Sequence, residues 1–521
     1  MLEAAIISFE NLFTCSQGCV AEFIPVPIAF LLFGVIIGMI LGAMPGLGGL
    51  VGLAILLPFT FDMDPYSAFA VMIGLTAVVS TSDTIPAVLF GIPGTAASQA
   101  TVLDGHPMAR NGEAGRAFGA AYTASLMGGL VGALILAVSI PILRPAVLLF
   151  GSPEFFMLGL LGISMVAVLA GRAPIKGLAI GALGLLVGMV GSDPQTGTLR
   201  YTFGNLYLWD GIPLVPVALG LFAIPEIIDL VIKGTSISDM PKGAMTGVSV
   251  GIRDAFRHWF LVLRCSTLGV WIGAIPGLGA SVVDWFAYGH ALQTEKGARD
   301  TFSKGDVRGV IAPESANNAR EGGALIPTIA FGVPGSSSMA LLIGGFMIQG
   351  IAPGPDMLRT PAEGGHLDLT YTLVWSIALA NIFATGFSLV LTNQLAKLTN
   401  VRINLLAPMI IGIVVLAAFQ ASRDWGDILS LTVFAVLGWN MKRFGWPRPP
   451  LILGLVLSGI LETRLWISQL RYGYEWMYRP AVIIIALVII ASLVYGIYTT
   501  RKTEQRPQVP LLTKNDVESS D

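Results

Sequence analysis

The sequence predicts an all-α polytopic membrane protein, with about 12 transmembrane helices accompanied by re-entrant or broken ones. Three observations carry that prediction. Only 12% of the 521 residues are charged and 54% are hydrophobic, whereas a soluble domain has roughly 25% charged residues. Apolar runs recur, many of them near the roughly 20 residues that cross a bilayer as a helix. Finally, 31 prolines and 62 glycines interrupt those runs in a pattern that repeats.

The charge deficit excludes a water-exposed surface of ordinary size, and a mean hydropathy of +0.76 agrees with residence in a bilayer. A net charge of −2 supplies no electrostatic reason for a nucleic-acid partner. The basic residues sit in short loops between apolar runs, where they report topology. Arg110 is the first Lys or Arg, so a secretory signal with a basic n-region is not expected and the amino-terminal end is expected to face outward. Arg501, Lys502 and Arg506 predict a cytoplasmic carboxyl-terminal end. Cys15, Cys19 and Cys265 have no histidine beside the first two, and a structural or incidental role is expected rather than a metal site.

Apolar runs lie at 24–44, 66–79, 117–140, 155–170, 175–190 and 212–232, and a second series at 260–275, 323–348, 369–391, 405–419, 428–439, 451–461 and 481–498. This divides the chain into a first transmembrane repeat at 20–232, a cytoplasmic connecting loop at 233–259, a second repeat with additional helices at 260–500, and a disordered cytoplasmic tail at 501–521. The basic residues of 233–257 and 293–320 predict that both stretches are cytoplasmic loops. Asp104 and Glu113, beside His106, Arg110 and Arg116, are expected in another solvated loop.

Two motifs recur in the same order. Gly42-Ala43-Met44-Pro45-Gly46-Leu47-Gly48 is echoed by Gly273-Ala274-Ile275-Pro276-Gly277-Leu278-Gly279. Ile85-Pro86, followed by Phe90-Gly91-Ile92-Pro93-Gly94-Thr95, is echoed by Ile326-Pro327 and Phe331-Gly332-Val333-Pro334-Gly335-Ser336. Ordered recurrence half a chain apart argues for duplication. Inversion of the two copies is expected because secondary transporters commonly use it.

Proline removes a backbone donor and glycine accepts positive φ, so Pro-Gly inside an apolar run breaks the helix. Unpaired backbone groups at membrane depth cost several kcal/mol each, so such a break must be covered by protein or coordinate something. Helix amino ends suit anions; carboxyl ends and unwound carbonyls suit cations. Hydroxyls accompany the second motif in both copies, Thr95 and Ser98 in one and Ser336, Ser337 and Ser338 in the other. With Pro93, Gly94, Pro334 and Gly335 they form a candidate carboxylate cradle. Close packing of small residues is the alternative.

Asp83 and Asp284 are candidate acids at membrane depth, where a carboxylate suggests a cation site or proton relay; a place at the water interface is the alternative. Asn317 and Asn318, in Pro313-Glu314-Ser315-Ala316-Asn317-Asn318-Ala319, can donate to a carboxylate or lend oxygens to a sodium ion, or else cap the next helix. The ion-coupling set is Pro45, Gly46, Gly48, Pro276, Gly277 and Gly279 with Asp83 and Asp284. No P-loop and no His-Glu-x-x-His motif occurs, so neither ATP drive nor a zinc hydrolase is expected. A membrane-embedded enzyme would have only Asp83 and Asp284 to work with.

At these residues the chain resembles the large membrane subunit of the tripartite tricarboxylate transporters, the TctA-like proteins. The similarity spans most of the chain and is strongest at 42–49, 90–116, 313–319 and 331–355. It implies a multi-pass protein of a bacterial inner membrane, no enzyme and no cofactor. It also implies two partners, a small membrane subunit and a periplasmic solute-binding protein that delivers a carboxylate, with uptake driven by Na+ or H+. A carrier working without a binding protein is the nearest alternative. Asp83 aligns with Ala324 in the second copy, so the two copies cannot be chemically equivalent.

Overall fold

The computed structural model describes residues 1–20, 24–44, 48–169, 174–233, 246–276, 279–398 and 403–504. These are overwhelmingly helical, with two short antiparallel hairpins, Cys19–Val20 with Ile24–Pro25 and Gly191–Ser192 with Leu199–Arg200. The first half contains α1 (Leu2–Phe13), α2 (Val26–Ala43), α3 (Gly49–Leu56), α4 (Pro65–Ser82), α5 (Thr84–Phe90), α6 (Gln99–Arg110) and α7 (Ala114–Leu149). Then come α8 (Ser152–Leu169), α9 (Pro174–Gly188), α10 (Leu214–Ala218), α11 (Ile224–Lys233) and α12 (Val248–Arg257). The second half contains α13 (Trp259–Gly273), α14 (Gly279–Thr294), α15 (Ala298–Thr301), α16 (Arg308–Phe331), α17 (Ser337–Ile348), α18 (Pro355–Leu358) and α19 (Leu367–Leu398). The chain closes with α20 (Ile403–Phe419), α21 (Trp425–Arg443), α22 (Pro449–Tyr472) and α23 (Pro480–Glu504).

Among the described residues five helical stretches are long and apolar enough to cross a membrane, at 26–43, 65–90, 114–149, 367–392 and 449–472. Shorter apolar helices include α3, α9, α13 and α17. Several are short because proline and glycine end helices inside apolar runs. The run at 323–348, continuous in hydropathy, is divided in this way between α16 and α17.

The centre is an antiparallel pair, α4 and α16. Thr84, which follows α4 in the helical stretch 65–90, meets Glu314 while Thr81 meets Asn318, so the two run in opposite directions. α19 runs with α4, since Tyr66 bonds Asp368 near both starts and Asn318 joins Thr81 to Asn381 further along. α7 runs with α16, Gly128 lying against Ser315 and Gly132 against Ala319. α2 flanks α4, and α13 flanks α16.

Glycine permits these close approaches. A Cβ on Gly38 or Gly42 would lie 2.5 Å from the carbonyl oxygen of Leu75 or Val79. In the other half a Cβ on Gly269 or Gly273 would lie 2.2 or 2.5 Å from that of Ala316 or Arg320. Small residues let backbones touch where lipid supplies no hydrophobic drive. A Cβ on Gly128 would lie 2.1 Å from the Ser315 carbonyl oxygen, whereas one on Gly386 meets nothing within 4 Å. Gly128→Ala therefore forces α7 off α16, at about 1–3 kcal/mol, and lowers the Tm in detergent. Gly386→Ala leaves it unchanged or raises it.

The structure corrects the expected places of 293–320, of Asn317 and Asn318, and of Asp104. The polar stretch 293–320 is a loop only in part, because α16 begins at Arg308 and buries Glu314, Ser315, Asn317 and Asn318. Asn317 and Asn318 thus stand inside a helix and cap none. Their polar groups are satisfied by neighbouring helices instead of water, which is what hydropathy alone cannot see. Asp104 is not in a solvated loop; it lies in α6 and is fully buried. Within the proposed connecting loop, residues 234–245 lie outside the described set, and α12 docks on α7 through Arg116 and Asp254 at 2.7 Å. α23 continues to Glu504, and the tail beyond it lies outside the described residues. Cys15 and Cys19 form a disulfide, and Cys265 is free and buried.

Candidate functional site

Both second motifs fold alike. α5 ends at Gly91 and α16 ends at Gly332, each in the left-handed region at φ +67°, a conformation glycine adopts without steric cost. Pro93 and Pro334 prevent the helix from resuming. The chain then turns back so tightly that a Cβ on Gly94 would lie 2.8 Å from the Cα of Asp83, and one on Gly335 would lie 2.7 Å from that of Ala324. These are the positions that the motif register makes equivalent.

Thr95 and Ser336 then start new helical segments as N-caps. The Ala97 N–H donates to Thr95 Oγ1 at 3.1 Å, and the Met339 N–H donates to Ser336 Oγ at 3.3 Å. Ser98 Oγ donates to the Thr95 carbonyl at 3.3 Å. Ser337 and Ser338 occupy the first turn of α17 and are half-buried. The two breaks differ in exposure: Ile92 is 43% exposed, while Val333 is buried at 3%.

Chemistry distinguishes them further. Asp83, between α4 and α5, is fully buried. Its Oδ2 accepts from Thr95 Oγ1 at 2.5 Å, while its Oδ1 has no partner among the described residues. Asp284, in α14, is equally buried, and neither carboxylate oxygen has such a partner. In the register of the first motif Asp284 corresponds to buried Leu53, so each half contributes one acid at a position where the other half is apolar. Arg320 is buried and paired with Glu321.

Gly48 caps α3, its carbonyl accepting from Val51 at 3.1 Å. Pro276 follows the end of α13, and Gly279 opens α14. Pro45, Gly46 and Gly277 lie outside the described residues. Asn317 Nδ2 donates to the Ala97 carbonyl at 3.5 Å, and Asn318 Nδ2 to Thr81 Oγ1 and Asn381 Oδ1, each at 2.7 Å. The side-chain oxygens of both asparagines are buried without partners among the described residues. A dehydrated cation would satisfy such buried acceptor oxygens on Asp83, Asp284, Asn317 and Asn318, whereas a proton would satisfy only the carboxylates.

Glu314 was not singled out from the sequence. Its carboxylate accepts from Thr101 at 2.7 Å, Thr84 at 2.9 Å and Ser125 at 3.0 Å. It therefore ties α16 to α5, α6 and α7. The available signal was a glutamate one residue after a proline in a stretch leading into an apolar run; the charges from Arg308 to Arg320 masked it. Thr81 and Asn381 had no local signal, since only tertiary packing brings them to Asn318. Among the described residues no three His, Cys, Asp or Glu side chains converge as a metal site.

Comparison with known proteins agrees with this architecture. An uncharacterized 52.8 kDa protein in the TAR-I ttuC' 3' region of Agrobacterium vitis is 32% identical over 450 residues, 86% of this chain and 88% of that one. A second uncharacterized protein of that organism, in the TAR-II ttuC' 3' region, is 30% identical over 197 residues, 38% of this chain and 79% of that one. No solved structure matches. The tripartite tricarboxylate transporter TctA family model matches residues 28–453, across both pairs of Pro-Gly breaks, and the chain belongs to that family.

Proposed function

We propose that this chain is the permease subunit of a binding-protein-dependent secondary transporter that imports a tricarboxylate or related carboxylate with a cation gradient. The observation that carries the proposal is the pairing of two like-folded Pro-Gly breaks with buried, incompletely partnered acids, all packed on the antiparallel pair α4 and α16. The carboxylate meets the N-caps and first turns after the breaks, at 93–98 and 334–338, where helix amino ends and hydroxyls favour an anion. The coupling ion, Na+ or H+, uses Asp83 and Asp284 with carbonyls of the first motifs. Separate anion and cation loci on opposed half-helices suit a site near the bilayer midplane.

An inverted repeat underlies this reading. Equivalent glycines contact equivalent carbonyls in the two halves, and the equivalent helices α4 and α16 run in opposite directions. Both facts support duplication with inversion. Arg110, Arg116, Lys296, Arg299, Lys304 and Arg308 cluster at the end of the molecule where α6 finishes and α7 and α16 start, which supports a cytoplasmic assignment for that end. The starts of α4 and α19 are then periplasmic, where a binding protein would deliver its ligand in a bacterial inner membrane.

The test is uptake into proteoliposomes holding this chain, the small membrane subunit and the binding protein, with di- and tricarboxylates as candidate solutes. Accumulation is expected only under an imposed sodium or proton gradient. Undiminished accumulation with both gradients collapsed would exclude ion coupling, and undiminished uptake by this chain alone would exclude dependence on the binding protein.

A further inference from the structure

Asp104 lies midway along α6, and the proposed transport site makes no use of it. Three elements converge on its fully buried carboxylate. Oδ1 accepts the backbone N–H groups of Gly305 and Asp306, each at 2.9 Å, from the turn that leads into α16. Oδ2 accepts the hydroxyl of Tyr288, from α14, at 2.8 Å. Gly309 in the first turn of α16 has no side chain to spare: a Cβ there would lie 2.1 Å from Oδ2. The turn itself holds Ser303 and Gly305 at φ +65° and +103°, and Tyr288 packs on Phe302 with ring centroids 5.1 Å apart.

The two carboxylate oxygens therefore do different work. The bonds at Oδ1 fasten α6 of the first half to the turn that leads into α16 of the second. The bond at Oδ2 joins α6 of the first half to α14 of the second. α14 also reaches α6 nearer the break, where the Trp285 indole N–H donates to Gln99 Oε1 at 3.3 Å. A motion that carries the whole of α14 away from α6 parts Tyr288 from Asp104.

The other end of the molecule is built differently. The residue equivalent to Asp104 is Gly345 in α17, where a Cβ would meet the Met72 sulfur at 2.7 Å. Beside α17 opens a cavity of about 500 Å³, lined by Gly344, Met347, Trp209, Asp210 and Leu455 among others. The contact equivalent to Asp104–Tyr288 is thus apolar and lies beside an open crevice, and that end draws its directional bonds from other residues, Tyr66 to Asp368 and Gln349 Nε2 to the Thr60 carbonyl at 2.5 Å.

We propose that Asp104 and Tyr288 form the bolt of a cytoplasmic gate: α14 closes over the first break, and parting the Tyr288–Asp104 bond lets it open toward the cytoplasm. This rests on the transport reading above and adds a positioning pair to it. The pair does not touch the solute; it sets how often the site faces inward.

Tyr288→Phe tests this in the full-length chain, because it keeps the ring on Phe302 and removes only the bonds of the hydroxyl. A reporter cysteine replaces Ala97, buried just after the break; Cys265 is buried and Cys15 is bonded to Cys19. A membrane-impermeant cationic thiosulfonate is applied to inside-out and to right-side-out vesicles. Adding Tyr288→Phe is expected to speed labelling from the cytoplasmic side about tenfold or more, as loss of a bond to a buried charge would shift a two-state gate, with no gain from the outer side. An unchanged cytoplasmic rate would overturn the proposal, as would equal acceleration from both sides, which would mean general loosening. Labelling needs no solute, gradient or partner subunit, so its outcome is independent of whether the reconstituted system transports.

Discussion

Asp83→Asn is expected to reduce gradient-driven uptake by roughly 100-fold or more, equivalent to at least about 2.7 kcal/mol of lost coupling, without weakening the fold. The substitution preserves size and can keep an oxygen for the Thr95 hydroxyl, which Asp83 Oδ2 accepts at 2.5 Å. It removes the charge. A fully buried carboxylate with one oxygen unpartnered is a cost to folding, so the Tm of the variant should equal or exceed that of the parent. A protein that uses Asp83 only to hold Thr95 would transport normally as Asp83→Asn and fail as Asp83→Ala. Uptake with an imposed gradient, measured beside thermal unfolding in detergent, separates the two.

Glu314→Ala should do the opposite. It withdraws the acceptor from Thr84, Thr101 and Ser125 at once and leaves a void at the point where α16 meets three other helices. The loss of three hydrogen bonds to a buried charge is expected to cost about 3–5 kcal/mol, seen as a lower Tm and a lower yield of folded protein. Glu314→Gln retains one carbonyl oxygen and should recover part of that stability. An alanine variant as stable as the parent but unable to transport would make Glu314 part of the ion path, not a tether.

The two predictions divide residues that the sequence does not distinguish equally well. Asp83 is conspicuous because it is an acid in an apolar run just before a Pro-containing motif. Glu314 and Asn318 are concealed among charges that read as a loop. The helical span from Arg308 to Phe331 has so many polar residues that hydropathy rejects its first half as a membrane segment. Yet nearly every residue in it is buried, because it is surrounded by protein on all sides and its polar groups pair with hydroxyls and amides of other helices. Local sequence reports preference for lipid or water; it says little about helices that meet neither.

The breaks themselves are legible for the same reason that the central helix is not. Proline and glycine act on their own backbone, so Gly91 and Gly332 end their helices as the motif predicts, and Thr95 and Ser336 cap the next ones. Close approach between α2 and α4, or between α13 and α16, depends on glycines whose partners lie far along the chain. Asp104 illustrates the limit most clearly. Its neighbours His106 and Arg110 suggest solvent, but the turn at 303–306, some 200 residues later, folds back over it.

The proposed mechanism requires both breaks to border one carboxylate site. Thr95→Cys and Ser336→Cys, each in the assembled three-part system in vesicles, allow it to be tested by solute protection against a thiol reagent. A transported di- or tricarboxylate is predicted to slow modification at both positions, with the same concentration dependence, and a non-transported monocarboxylate to slow neither. Protection at one position alone, or half-maximal protection at clearly different concentrations, would contradict a shared site.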